Sequence, residues 1–215
     1  MTDAHFHRNG FAAFMRKDDG SEVRFLGFHP WQEDCVYSNL EKLRLSLQDD
    51  ESACVGEIGL DRLRSKTITE SSRELFARQL EMAATFCRPV VLHGAKCWGE
   101  VVAACRQHRG RIPAFLFHGF SRSAGLLPDI FAINGYISIG PAILNDHAVN
   151  YHALARELPL ERTLIETDMD YAADTDVALA TLQSIHSEFA SLRGLGMDEL
   201  SGILADNIRR FLSRT

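Results

Sequence analysis

Short apolar runs of strand length alternate along this chain with amphipathic stretches of helical spacing. The runs lie at 2–7, 24–29, 53–58, 89–93, 114–118, 136–140 and 162–168. The amphipathic stretches lie at 38–49, 71–87, 97–108, 123–134, 150–157, 175–193 and 197–213, and Ser71 with Glu74 forms a capping box that marks the start of the second. Near-continuous apolar strands that alternate with helices predict a buried parallel sheet.

A buried parallel sheet can be an open doubly wound sheet or a closed barrel, and polar residues at the ends of the runs distinguish the two. Six of these runs carry, at the C-terminal end, a residue of a type that binds metals: His7, His29, Glu57, His93, His118 and Asp168. In an open doubly wound sheet these ends would spread along an edge, whereas in a closed barrel they meet at one mouth. The pattern therefore predicts a TIM-type (β/α) barrel, formed by a single domain over residues 1–215.

The connection after the first run departs from the pattern. Only 17 residues separate His7 from Phe25, which is too short for helix, strand and helix. The turn signal Asp18-Asp19-Gly20-Ser21 lies between FAAFMR and EVRFLGF, which can pair with each other. We expect a hairpin or an irregular second strand here, and hence a somewhat irregular barrel with a shortened first crossover.

Charge, cysteine content and hydropathy limit the classes of function. The net charge of −6 means that a nucleic-acid substrate would need a local basic patch. Five cysteines without a C-x-x-C pair indicate a reducing, cytoplasmic setting rather than a disulfide framework. No apolar run approaches the roughly 20 residues that span a bilayer, so no membrane association is expected.

The first strand carries the clearest metal-type pair. His5 and His7 are two residues apart and therefore share one face of a strand, whereas Phe6 points to the other. Two imidazoles from one strand end are a common way to hold a divalent ion. The alternative is an N-terminal strand with two incidental histidines.

The later strand ends supply further candidates. His93 and His118 each end an apolar run and precede a glycine, and a structural role in hydrogen bonding is their alternative. Glu57 needs a cation if it is buried; a metal ion is favoured, and a salt bridge to Arg62 is the alternative. Asp168 is favoured as a ligand over Glu166, which is expected to be a supporting residue. The other histidines, His108, His147, His152 and His186, are expected at the surface.

Four histidines, a glutamate and an aspartate are enough for two metal ions that share a carboxylate. Mixed nitrogen and oxygen ligands without cysteine suit Zn, Mn or Mg and do not choose among them. One or two divalent ions are therefore the expected cofactors.

The motifs, in their order, resemble a known family. DAHFH, GFHPW, VGEIGLD, QLEMA with RPVVLH, FLFHGFS, YISIG, LIETD and DNIRRFL are similar to the TatD family of metal-dependent hydrolases, in the amidohydrolase superfamily. The similarity covers nearly the whole chain and is closest to the shorter branch of the family. It implies a barrel that hydrolyses phosphodiester bonds in DNA, often as a 3′-exonuclease.

The resemblance also implies roles for individual residues. His5, His7 and Asp168 would hold one ion, His93 and His118 the second, and Glu57 would bridge the two. Asp168 would in addition relay a proton from the bridging water. Longer members have an arginine at the position of Ala95 and a longer loop after Asp168, which this chain lacks.

Three functions remain open from the sequence. The first is hydrolysis of a phosphodiester, with DNA as substrate and with Lys96, Arg122, Arg62 and His29 as candidate substrate-binding residues. The second is hydrolysis of a small ester, amide or phosphoester. The third is a metal-binding protein without catalysis. The oligomeric state and the native metal are not indicated by any of these patterns.

Overall fold

The structure is a computed structural model that describes residues 1–32, 37–64, 66–121 and 124–213. Its strands are β1 (Asp3–Arg8), β2 (Ala12–Arg16), β3 (Glu22–Leu26), β4 (Cys54–Asp61), β5 (Val90–Ala95), β6 (Phe115–Phe117), β7 (Gly135–Ile139) and β8 (Thr163–Ile165). Its helices are α1 (Tyr37–Asp49), α2 (Glu70–Thr85), α3 (Trp98–Arg106), α4 (Leu127–Ala132), α5 (Val149–Glu157), α6 (Thr175–Arg193) and α7 (Met197–Leu212).

The eight strands form one sheet in sequence order, which confirms the predicted barrel. From β3 to β8 every neighbouring pair is parallel. The sheet closes through the segment after β8, where Asp168 N donates to His5 O at 3.0 Å and His7 N donates to Met169 O at 2.8 Å. These bonds place Asp168 beside the histidines of β1.

The irregular start of the barrel is also confirmed. β2 runs antiparallel to both β1 and β3, with Ala13 opposite Phe25 and Arg16 opposite Glu22. A three-strand meander therefore replaces the first helical crossover. The outer face of this meander packs Phe6 and Phe14 against Tyr171, with the Arg8 guanidinium over both phenylalanine rings.

Alternation along the strands divides the barrel interior into two layers. The lower layer is apolar and includes Val91, Leu116 and Leu164, against which Ile208 and Phe211 of α7 pack. Two residues further along the chain, within or directly after the same three strands, stand His93, His118 and Glu166. Because side chains two apart share a face, the polar residues form a layer above the apolar one, at the C-terminal mouth.

Several predicted details differ from the structure. Helix α2 begins at Glu70, because the Thr69 hydroxyl accepts a hydrogen bond from Ser72 N at 3.0 Å and so caps the helix before the predicted box. Helix α4 begins only at Leu127, with Pro128 in its first turn. His108 and His186 are buried rather than exposed, and His186 Nε2 lies 3.0 Å from Thr2 O.

Among the helices of the described ranges, none has the length and apolar content needed to cross a membrane.

Candidate metal centre

The six predicted ligand residues converge at the mouth of the barrel. Three groups of ligand atoms lie close enough to hold an ion, and the third includes His29, which is not among the six: His5 with His7 and Glu57, His5 with His118 and Asp168, and His29 with Glu57 and His93. Glu57 is almost fully buried and belongs to two of these groups. Its two carboxylate oxygens face different neighbours.

One oxygen of Glu57 faces the first strand. Oε2 lies 3.3 Å from His5 Nε2 and 3.6 Å from His7 Nε2. Asp168 Oδ1 lies 3.6 Å and 3.3 Å from the same two nitrogens. Ligands bound at about 2.1 Å in a tetrahedral zinc site stand roughly 3.4 Å apart. Each of these four nitrogen–oxygen distances is therefore close to the spacing of two ligands on one ion.

The other oxygen of Glu57 faces β5 and β6. Oε1 lies 2.8 Å from His93 Nδ1 and 2.6 Å from His118 Nε2. It is also 3.4 Å from His29 Nε2. The two shorter distances are those of hydrogen bonds, so an ion between these atoms would require them to move apart by several tenths of an ångström.

The charges in the centre are consistent with this geometry. Burial raises the pKa of Glu57, but the surrounding histidines, His118 foremost, outweigh it and hold the pKa well below its usual range. Burial lowers the pKa of His118, yet the charges of Glu57 and Glu166 bring it well above its usual value. Glu57 thus favours its ionised form, and the positive charge of His118 balances it. A bound divalent ion would supply that positive charge instead.

His5 gives the strongest indication that these residues fit a metal. Its side chain is fully buried, and neither of its ring nitrogens has a hydrogen-bond partner among the residues that the structure describes. A buried polar atom without a partner costs about 1–3 kcal/mol. Its Nε2 atom faces two carboxylate oxygens at ligand spacing, so coordination of an ion would satisfy it.

Asp61 supports the centre, although the sequence patterns did not single it out. Its Oδ2 accepts a hydrogen bond from Trp31 Nε1 at 2.7 Å and lies 3.0 Å from His93 Nε2. A carboxylate on one imidazole nitrogen fixes the tautomer and turns the other nitrogen toward the ligand position. Asp61 stands four residues after Glu57 on the same strand face, and this spacing was a usable signal.

Asp3 is a second supporting carboxylate that was not among the predicted site residues. It is fully buried and accepts hydrogen bonds from Thr167 N at 3.1 Å, Thr167 Oγ1 at 2.8 Å and Tyr171 Oη at 2.9 Å. Burial raises its pKa to about 7, against the effect of these donors. Asp3 therefore joins β1 to the segment that carries Asp168.

Glu166 is placed as a supporting residue. Its Oε1 accepts a hydrogen bond from Gly119 N at 2.7 Å and lies 3.7 Å from His118 Nδ1. It fixes the backbone directly after His118. His29 is held in a similar way, because its Nδ1 accepts from Trp31 N at 3.1 Å, which leaves Nε2–H to face Glu57.

The candidate substrate-binding cations lie in different places. Lys96 is exposed and lines a cavity of about 560 Å³ together with His93, His118 and Asp168. Arg62 makes a salt bridge with Glu100 rather than with Glu57. Arg122 lies outside the described residues.

Comparison with known proteins identifies the family of this fold and centre. A metal-dependent hydrolase of Bacillus subtilis, YabD, is 22% identical over 191 residues, which are 86% of this chain and 75% of the relative. The 3′-5′ ssDNA/RNA exonuclease TatD of Edwardsiella piscicida is 30% identical over 69% of this chain and 56% of its own length. The crystal structure of the TatD homologue YJJV of Escherichia coli K12 superposes with a TM-score of 0.73 at 25% identity, covering 87% of this chain and 75% of that one.

The model of the TatD-related DNase family matches residues 3–213. That range includes every residue of the candidate centre. The chain therefore belongs to the TatD-related DNase family and is a metal-dependent hydrolase.

Proposed function

We propose that this chain hydrolyses phosphodiester bonds in single-stranded nucleic acid, with one or two divalent ions held around Glu57. The observation that carries the proposal is the division of the Glu57 oxygens between two histidine groups. One carboxylate between two groups of ligands is the arrangement of a two-metal hydrolase. The names of the relatives support nucleic acid as the substrate.

The ions, when bound, supply a Lewis acid and a water whose pKa falls towards about 7. His5, His7, Glu57 and Asp168 would hold the first ion, and Glu57, His93 and His118 the second. The spacing on the His5 side already matches a ligand set, so we expect the first ion to bind more tightly than the second. Zn, Mn and Mg remain the candidate metals.

Asp168 is the residue to which we assign proton transfer. Its side chain is half-exposed and reaches into the cavity that opens at the mouth. Its pKa is lowered, because hydrogen bonding from His7 and the charge of His118 outweigh the effect of burial. An ionised carboxylate at this place can accept the proton that an attacking water loses.

Lys96 and the Ser121 hydroxyl at the mouth would hold the phosphate. Lys96 lines the cavity beside Gly119 and Ser121. A lysine ammonium and neutral donors are suitable partners for a phosphodiester.

Cys97 and Cys105 are buried and form no disulfide with any cysteine that the structure describes. Unpaired buried cysteines are consistent with a reducing compartment, and we therefore propose that the enzyme acts in the cytoplasm.

A second candidate function is hydrolysis of a small ester, amide or phosphoester. The observation in its favour is the size of the cavity, about 560 Å³, which is that of a small-molecule site. The net charge of −6 also disfavours a long polyanion.

One panel of substrates tests these functions. The protein is stripped with EDTA, loaded with Mn, Zn or Mg, and assayed on an end-labelled single-stranded oligodeoxynucleotide, a small phosphodiester and a set of small esters and amides. We expect stepwise shortening of the oligonucleotide with at least one metal and none with EDTA. Glu57→Gln is the matched inactive control, since it keeps the size of the side chain and removes the charge. Cleavage of a small ester or amide but not of the oligonucleotide would establish the second candidate instead.

A further inference from the structure

Two exposed aromatic side chains lie together beside the metal centre. Phe11 and Trp31 are each 46% exposed, and they are the only exposed aromatic side chains among the residues whose side chains the structure describes. Their ring centroids are 6.4 Å apart in an edge-to-face arrangement. We call this pair the aromatic shelf.

His29 connects the aromatic shelf to the centre. The Phe11 ring stacks on the His29 ring at 5.3 Å with an angle of 28°, and Trp31 meets the same imidazole edge-on at 4.7 Å. His29 Nε2 is in turn 3.4 Å from Glu57 Oε1. A group bound on the shelf would thus be separated from Glu57 by the His29 side chain.

The shelf is held in place by hydrogen bonds. Phe11 belongs to the short β1–β2 turn, in which Asn9 N and Gly10 N donate to the Asp170 carboxylate at 3.1 and 2.9 Å. Trp31 Nε1 donates to Asp61 Oδ2 at 2.7 Å. Both rings are therefore positioned before a ligand arrives, which lowers the entropy lost on binding.

The surroundings of the shelf indicate its ligand. The Arg64 guanidinium lies 4.8 Å from the centroid of the Trp31 ring, so a positive charge accompanies the aromatic surface. Flat aromatic faces next to a cation are how proteins bind single-stranded nucleic acid, with a base on the ring and a phosphate at the charge. A lone apolar ligand would make no use of the arginine.

We propose that the aromatic shelf of Phe11 and Trp31 stacks a nucleobase of single-stranded nucleic acid next to the phosphodiester at the metal centre, with Arg64 at a neighbouring phosphate. The proposal rests on the proposed function, and it adds a site that distinguishes base-bearing strands from small esters. Stacking reads no base identity, so the shelf would accept all four bases.

Binding without hydrolysis provides the first test. The chain has two tryptophans, Trp31 on the shelf and the buried Trp98, which lines the cavity at the mouth. The part of the fluorescence quenching that is lost in Trp31→Phe therefore reports Trp31. The metal-free protein in EDTA is titrated with oligothymidylate and with an abasic deoxyribose-phosphate oligomer of the same length. We expect saturable quenching by oligothymidylate only. Phe11→Leu should raise the Kd for oligothymidylate by roughly 5- to 100-fold, the range for loss of one stacked base.

Three variants separate stacking from other effects. Phe11→Tyr keeps the ring and should retain the wild-type Kd. Trp31→Phe keeps an aromatic face but removes the fluorescence signal, which verifies the assignment of the quenching. Leu45→Ala is the matched control, because Leu45 is 45% exposed on α1 and contributes to neither the shelf nor the centre.

Hydrolysis provides the second test. The ratio of kcat/KM for oligothymidylate to kcat/KM for the abasic oligomer should fall by roughly 5- to 100-fold in Phe11→Leu and stay unchanged in Leu45→Ala. A Phe11→Leu protein with wild-type Kd and wild-type ratio overturns the shelf while leaving the proposed function intact. If the loaded wild type cleaves neither oligomer, the proposed function fails, and the fluorescence titration still decides whether the shelf binds bases.

Discussion

Replacement of Asp168 by asparagine is the most direct perturbation of the proposed chemistry. Asp168 has a φ of 54°, in the left-handed region, where asparagine is tolerated as well as aspartate. Its backbone N–H bond to His5 O closes the barrel and does not involve the side chain. The side chain is also half-exposed. We therefore expect the free energy of unfolding to change by less than about 1 kcal/mol.

The rate should change far more than the stability. Asparagine keeps an oxygen that can face His5 and His7 but cannot accept a proton. Loss of a positioned general base lowers turnover by roughly 10²–10⁴-fold, which corresponds to about 3–5 kcal/mol in the activation barrier. The KM should change much less than kcat, because the lost interaction acts mainly in the transition state.

The assay is steady-state kinetics at saturating metal on whichever substrate the wild type accepts. Metal content of the variant is measured in parallel, so that loss of an ion is not mistaken for loss of a base. Asp176→Asn, an exposed substitution in the first turn of α6, controls for a general loss of negative charge. An Asp168→Asn protein that binds metal and keeps near-normal turnover would remove Asp168 from the mechanism.

Four further predictions concern the metal, the strand contacts and the substrate. Saturation with a divalent ion at about 100 times its Kd should stabilise the fold by about 2.7 kcal/mol and raise Tm by roughly 5–10 °C over the EDTA-treated protein; a Tm that no candidate metal changes would contradict the site. His93→Ala should lower the stoichiometry of bound metal in elemental analysis and leave the circular dichroism spectrum unchanged, because His93 lies at the mouth rather than in the apolar layer. Loss of the fold with full metal content would instead make His93 a structural residue. Gly59→Ala should reduce the free energy of unfolding by more than about 3 kcal/mol in denaturant titrations, because a Cβ at that position would stand 2.0 Å from His93 O. Gly99→Ala in α3 is its control and should be neutral or stabilising, since a Cβ there would meet no other element of the described chain within 4 Å. Binding of single-stranded DNA should weaken strongly between about 50 and 200 mM salt, given the net charge of −6, and tight binding that ignores salt would argue against a phosphate-directed contact.

The supporting residues explain why the centre is pre-arranged. Asp61 orients His93, Asp3 ties β1 to the segment of Asp168, and Glu166 fixes the backbone after His118. Each is a carboxylate with at least one partner on a different segment of the barrel from its own. Such residues determine the geometry of the ligands rather than their identity.

The sequence by itself determined the architecture and the position of the site along each strand. The period of two in DAHFH and the ends of VVLH and FLFH specify which face and which end of a strand a side chain occupies. The short interval between His7 and Phe25 was enough to exclude a helical crossover and to predict a hairpin or an irregular second strand, which is the β2–β3 hairpin in the structure. These are local properties, and the backbone geometry of a strand transmits them directly to structure.

Only the tertiary structure decided which side chains meet. That Glu57 divides its oxygens between two histidine groups, and that Arg62 pairs with Glu100 instead, depends on barrel closure and rotamers. The contact of Phe11 with His29 likewise joins a turn of the meander to the loop after β3. Distances between residues far apart in sequence are set by the packing of whole elements, and a pattern along one strand carries no information about them.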